Sequence, residues 1–165
     1  DSFSVQTYPT MHMGQVGERL GQSLIEPDDF ALILPRYETM LSRKIVNGSA
    51  VEEALGPFES LLNMKLLDDA RRDGVANLYS VYGNHDAENW YVNDKVDTGR
   101  VLISKDSFGT PFANLLALTA HETLTVDLRK SQRTIEDYAR VFKPDVVIVA
   151  HSQAMLREAN YVFIE

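Results

Sequence analysis

Cysteine is absent from the chain. That excludes disulfides, thiolate zinc sites and a cysteine nucleophile, and it leaves the compartment open, since cysteine-free proteins occur on both sides of a membrane. Basic residues are few, 16 against 24 acidic for a formal charge of −8. They form no Lys/Arg cluster, so nucleic acid is not an expected partner. No apolar run approaches the roughly 18 residues of a membrane span. The opening Asp-Ser-Phe-Ser-Val-Gln lacks the basic and apolar regions of a signal peptide. It also lacks Met, and the chain is expected to be a segment of something longer. There is no internal repeat and no low-complexity tract. What is present is a 44% hydrophobic composition over 165 residues, enough for a single domain, 1–165, with a real core.

The spacing of Val16, Leu20 and Leu24 predicts a helix over Met13 to Ile25, with Gly17 and Gly21 as close-packing points and Pro27 beyond its end. Phe30 to Leu34 reads as a short buried strand ended by Pro35. Residues 36–77 are irregular. After the turn Asn47-Gly48-Ser49, Val51 to Leu55 reads as a short helix and Phe58 to Leu67 holds another, so an insertion-like, mostly helical or looped excursion is expected there. Leu78 to Tyr82 alternates as a strand, and the Asn- and Asp-rich Gly83 to Gly99 reads as a loop or hairpin. From Val101 the pattern is regular: strand Val101 to Ser104, helix Pro111 to Leu118, strand Thr123 to Val126, helix Thr134 to Phe142, strand Val146 to Ala150. This βαβαβ succession predicts parallel strands joined by right-handed crossovers. The expected fold class is therefore α/β, a three-layer sandwich with a mostly parallel sheet. Ligands in such sheets bind at the carboxyl ends of the strands, where Asp106-Ser107, Asp127 to Arg129 and His151-Ser152 fall.

Among these, Ser107 stands where a strand hands over to a helix with Pro111 in its first turn. Unpaired N–H groups at such a start can hold the negative oxygen of an acyl-transfer intermediate. The plainer reading is that Asp106 and Ser107 cap the helix. A nucleophilic serine needs a base, and the chain offers four histidines, His12, His85, His121 and His151. His121, between a helix and a strand, reads as a surface residue. His151 lies at the proper edge of the sheet. His85 sits in the string Gly83-Asn84-His85-Asp86, and His12 precedes a glycine-containing helix.

Two stretches carry a resemblance. His12-Met13-Gly14-Gln15-Val16-Gly17, followed by an amphipathic helix, resembles the His-Trp-x-x-x-Gly element of the alginate O-acetyltransferase-like branch of the SGNH hydrolases, including the DHHW-type proteins. Lys105-Asp106-Ser107-Phe108-Gly109 is similar to the branch's serine-bearing Asp-Ser-Phe turn. Asp127-Leu128-Arg129 and Lys143-Pro144-Asp145-Val146-Val147-Ile148 resemble its Asp-x-Arg and Pro-Asp-Val-Val-Ile segments. The likeness covers residues 10–24 and 101–156. It departs at two places: the acid two residues before the histidine is Thr10, and the following Trp is Met13. A threonine can orient an imidazole but supplies no charge to stabilise an imidazolium.

The resemblance implies an SGNH-hydrolase-like (flavodoxin-like) fold and acetyl-ester chemistry on a cell-envelope or secreted polysaccharide, as O-acetyltransferase or esterase. It implies an extracytoplasmic location, no cofactor or metal, a glycan substrate, and an acyl group supplied by a membrane acyl-donor protein. Ser107 would be the nucleophile and His12 the base. The N–H groups of Phe108 and Gly109 would be the oxyanion donors, and Arg129 would contact an anionic sugar, although an ion-paired arginine is the plainer reading.

Two rivals remain. The string Gly83 to Asp86 after a strand suits a metal-dependent phosphoesterase, but the chain has no Asp-x-His after an early strand and no Gly-Asp-x-x-Asp to complete a two-metal site. The other is a non-catalytic glycan-binding module in which Trp90 and Tyr91 stack on a sugar, against the plainer reading of both as packing anchors.

Overall fold

The computed structural model describes residues 2–20, 24–73, 76–83 and 87–152. Three sequence readings extend outside these residues: positions 21–23 of the predicted first helix, Asn84, His85 and Asp86 of the polar string, and positions 153–156 of the resemblance. The chain forms two compact units. One comprises the residues up to Glu38 together with Phe58–Gly83, the other Thr39–Pro57 together with the chain after Gly83.

The first unit is built on an antiparallel pair, β1 (Phe3–His12) and β2 (Asp28–Pro35). The predicted strand at Phe30 to Leu34 is thus present, with Phe30 and Leu32 buried and Pro35 its last residue. The ladder is irregular between Tyr8 and His12. There Thr10 takes φ 52°, a conformation a β-branched residue adopts at a cost of roughly 1–3 kcal/mol, and its N–H donates to Asp29 Oδ1 at 2.9 Å. Helix α1 spans Gln15–Leu20, shorter than the helix expected over Met13 to Ile25: Met13, Gly14, Leu24 and Ile25 are not helical, and positions 21–23 lie outside the described residues. Gly17 is a close-packing point as expected: a Cβ there would lie 2.3 Å from Met13 Cγ. Helix α2 (Met64–Asp73) follows a 3-10 turn at Phe58–Leu61. Leu78–Tyr82, expected as a strand, is a second 3-10 turn. Leu78, Val81 and Tyr82 are buried in the unit, a spacing of three and four rather than two, and the Tyr82 hydroxyl accepts the Ile33 N–H at 3.2 Å.

The second unit carries a six-stranded sheet in the order β4-β3-β5-β7-β6-β8. Its strands are β3 (Leu41–Asn47), β4 (Ala50–Gly56), β5 (Glu88–Asn93), β6 (Arg100–Lys105), β7 (Glu122–Val126) and β8 (Val146–Ala150). The predicted parallel strands pair as expected, β6 with β7 and β6 with β8. The sheet is nonetheless mixed rather than mostly parallel, because β4–β3, β3–β5 and β5–β7 pair antiparallel. Two misread segments account for this. Val51 to Leu55 is part of β4, not a helix: its Ala, Leu and Glu favour helix, but pairing with β3 overrides that preference. The expected excursion over 36–77 therefore contains a hairpin of the main sheet. The Asn-rich loop over 83–99 contains β5, which sits inside the sheet.

Alternation along β5 sorts the layers. Trp90 faces α4 (Ile135–Phe142), where its ring meets Phe142 edge-on at 5.5 Å. Tyr91 and Asn93 face the other way, toward α3 (Thr110–Leu116). The Tyr91 hydroxyl donates to Asn114 Oδ1 at 2.8 Å, and the Asn93 amide donates to the carbonyls of Ala117 and Leu118 just past the helix. The three-layer expectation holds for this unit. Under α4 the core is Leu102, Leu124, Val126, Leu128, Tyr138 and Phe142, each large side chain contributing roughly 1.5–3 kcal/mol of burial. Helix α4 starts on the capping box of Thr134 and Asp137 and stops at Lys143, which adopts φ 51° before Pro144.

Candidate active site

The carboxyl ends of the parallel strands gather the polar groups of the second unit. β6 ends in Ser104 and Lys105, and Asp106 caps the 3-10 turn that follows, Ser107–Gly109, which runs into α3. Asp127 and Arg129 follow the end of β7, and His151 and Ser152 follow the end of β8. Ser104 Oγ lies 2.9 Å from His151 Nε2. Asp106 is fully buried: Oδ1 accepts the Phe108 N–H at 2.9 Å and Oδ2 the Ser152 N–H at 2.7 Å. Burial pushes its carboxyl up, but those two amides and His151 outweigh burial and hold it below the ordinary value. Burial lowers the His151 imidazole against the pull of Asp106 and Asp127, which favours the neutral ring.

Lys105 is 2% exposed. Its ammonium meets Thr110 Oγ1 at 3.3 Å, and burial lowers it to about 8 against the attraction of Asp127. Sequence reasoning did not single it out. The signal was its position, since the alternation of β6 puts Lys105 on the same inward face as Ile103.

Ser107 is half-buried at the start of this turn, and among the described residues its hydroxyl has no hydrogen-bond partner. The capping reading fits Asp106, whose side chain caps the turn. Phe108 and Gly109, expected as oxyanion donors, already have internal acceptors: Phe108 N–H on Asp106 Oδ1, Gly109 N–H on Asp106 O at 3.2 Å. Substrate would have to compete for them. Arg129 forms a two-pronged pair with Asp127, Nε to Oδ1 at 2.8 Å and a terminal nitrogen to Oδ2 at 2.6 Å. The plainer, ion-paired reading describes it.

His12 lies in the first unit and Ser107 in the second. The His12 ring is buried against Tyr79, edge-on at 4.7 Å, and Phe30. Its Nδ1 accepts the Leu78 N–H at 3.2 Å. A backbone N–H can only donate, so the neutral ring keeps its proton on Nε2. A base acting through Nε2 needs the opposite tautomer.

His121 is half-buried, its Nδ1 within reach of the Asn93 and Val96 carbonyls at 3.2 and 2.9 Å. Tyr91 is 1% exposed and serves as a packing anchor. Trp90 helps line a shallow groove of 690 Å³ with Lys44, Glu53 and Glu88. Among the described residues no three His, Asp or Glu side chains are grouped to hold a metal, and His85 and Asp86 lie outside them. No described helix is long and apolar enough to cross a membrane.

No protein-family model and no curated protein matches the chain. Solved structures do. Bacillus cereus PatB1 with a sulfonyl adduct matches with a TM-score of 0.73 at 16% identity, over 99% of this chain and 51% of that one. A second PatB1 structure matches at 0.72 and 17%. A DHHW family protein from Eubacterium siraeum matches at 0.67 and 13%, over 99% of this chain and 54% of its own. The chain thus spans about half the length of these proteins. At such identities the likeness is one of fold, and it agrees with the branch that the sequence resembles.

Proposed function

We propose that the protein performs acyl-ester chemistry with Ser107 as nucleophile, on the O-acetyl groups of a cell-envelope glycan. The observation that carries this reading is the placement of a partly accessible serine hydroxyl, without a hydrogen-bond partner among the described residues, at the end of a parallel strand and the head of α3. The fold likeness to PatB1, a protein solved with a sulfonyl adduct, supports it, because a sulfonyl group bonds to an activated nucleophile. In the proposed reaction Ser107 Oγ attacks the ester carbonyl and gives its proton to an imidazole. The C–O bond to the alcohol breaks, the alcohol takes up that proton, and an acyl-serine remains. A sugar hydroxyl then accepts the acyl group in a transferase, or water in an esterase.

His12 is the base on the sequence resemblance. That role requires its ring to give up the Leu78 contact, because a proton moved to Nδ1 would face the Leu78 N–H donor. His151, neutral and in the same unit as Ser107, is the competing imidazole. The acyl donor is proposed to come from a membrane protein.

Hydrolysis of p-nitrophenyl acetate tests the reading. It should be lost in Ser107→Ala and be insensitive to chelator. The base is whichever of His12→Ala and His151→Ala lowers kcat by about 10²–10⁴-fold. Activity that survives in Ser107→Ala refutes the assignment. Chitopentaose or acetylated xylooligosaccharide as acceptor separates transferase from esterase.

A further inference from the structure

The turn that carries Ser107 is fastened to the end of a distant strand through a single carboxylate. A capping aspartate needs only one bond, to an amide of the turn it starts, and Asp106 has that bond with Phe108. Its other oxygen takes the N–H of Ser152, 46 positions away and just past β8. A second link spans the same two strand ends, Ser104 Oγ to His151 Nε2. The turn also lies flat on the β6–β8 pair: a Cβ at Gly109 would stand 2.8 Å from Lys105 Cβ and 3.3 Å from the Ala150 carbonyl. Ser107 therefore lies between a residue tied to both strand ends and a glycine packed closely on Lys105 and Ala150.

We propose that Asp106 is a positioning residue for Ser107, its carboxylate holding the 106–109 turn against the end of β8 so that the hydroxyl keeps one orientation, with the Ser104–His151 pair bracing the same joint. The inference rests on the reading of Ser107 as the acyl-accepting nucleophile and adds to it the device that aims the serine. Without the carboxylate the two amides lose a buried acceptor and the 106–109 turn loses its side-chain tie to Ser152, while the β6–β8 ladder itself stays paired. A nucleophile displaced by even an ångström loses much of its advantage. The bonds involved are the charge-assisted kind, stronger than neutral ones.

Phenylmethylsulfonyl fluoride reads this poise without a bound substrate: the Ser107 Oγ–S bond forms, the S–F bond breaks, and fluoride leaves as the serine proton passes to the base. Intact-protein mass gives the rate. In Asp106→Asn one acceptor oxygen remains, but an NH₂ now faces one of the two N–H donors. Labelling should slow about 20-fold or more, and kcat for p-nitrophenyl acetate should fall alongside it with KM nearly constant. Ser104→Ala, which keeps the carboxylate, should slow labelling about fivefold.

Thr134→Ala removes the cap of α4 and lowers Tm without touching this joint, so its labelling rate should match that of the parent protein. Unchanged labelling in Asp106→Asn overturns the proposal, as does an equal loss in Thr134→Ala at matched Tm. Faster labelling also overturns it, because the carboxylate would then only be withholding the Phe108 amide. Failure of the nucleophile reading looks different, since the parent protein would then take no label at Ser107. In that case amide hydrogen exchange at Phe108 and Ser152 still decides on the latch: it should accelerate in Asp106→Asn, and unchanged exchange refutes it.

Discussion

The two halves of the six-stranded sheet are made of similar strands and do different work. In β7-β6-β8 the strands run the same way, so their carboxyl ends deliver Ser104, Lys105, Asp106, Ser107, Asp127, Arg129, His151 and Ser152 to one edge. In β4-β3-β5 neighbouring strands run in opposite directions. Their ends scatter, and their side chains instead make a groove across the face, lined by Ser42, Lys44, Glu53, Leu55 and Trp90. Strand direction, more than composition, decides which half collects reactive groups.

The sharpest way to break this comparison is to remove one serine from each half. Ser107→Ala should lower hydrolysis of p-nitrophenyl acetate by about three orders of magnitude or more, as loss of a nucleophile does elsewhere. Ser42→Ala, in the groove, should leave it as it was. Steady-state rates with unfolding midpoints alongside decide the matter. Comparable losses at both positions would mean that the parallel edge has no special place in the chemistry.

Why one half was legible and the other not follows from the same contrast. Each parallel strand is joined to the next through a helix with its own signals, such as Pro111 at the start of α3 and the Thr134–Asp137 box at the start of α4. Those signals are local, so the expected element bounds fall within a residue or two of the observed ones. In β5, Asn89 and Asn93 read as loop residues because asparagine usually serves turns. Here Asn93 instead gives its amide to the carbonyls beyond α3, a contact that exists only once the sheet is folded. In β4 the Glu-Glu-Ala-Leu run prefers helix, and only the adjoining Asn47-Gly48 marks a hairpin.

The site divides in the same way. The position of Ser107, after β6 and ahead of α3, was readable. The Asp106–Ser152 and Ser104–His151 links were not, since they join positions 46 and 47 apart that only the β6–β8 pairing brings together.

Burial of a lysine at the parallel edge should show in the pH dependence of stability. Lys105 titrates at about 8 in the folded chain against 10.5 unfolded. Between those values the unfolded chain holds a proton the folded one has released, so stability rises with pH through that window. The cost is fully present below pH 8 and relieved by 10.5, about 3 kcal/mol in all. Lys105→Met keeps most of the stem in place and removes the charge. Denaturant unfolding should find it more stable than the parent at pH 7 by up to that amount, with the advantage gone near pH 10.5. A difference that stays flat with pH would mean that the ammonium is solvated when folded and that the edge is less closed than its geometry indicates.

Glycine gives the smallest and most local test. Gly48 is the first residue of the two-residue β3–β4 loop, at φ 63° with nothing within 4 Å of a built Cβ. Gly48→Ala meets only backbone strain, about 1 kcal/mol. Gly109 has an ordinary helical φ of −77°, yet its built Cβ lies 2.8 Å from Lys105 Cβ. That atom belongs to the root of a buried side chain and cannot swing aside, so Gly109→Ala has to lift the turn at a cost of about 2 kcal/mol. The two variants should therefore differ in kind as well as in size. Lifting the turn moves Ser107, so sulfonylation should slow in Gly109→Ala beyond anything its Tm accounts for, whereas Gly48→Ala should lower Tm slightly and label at the parent rate. If both variants cost the same and label alike, the turn is free to shift on its strands, and the contact between Gly109 and Lys105 has no part in aiming the serine.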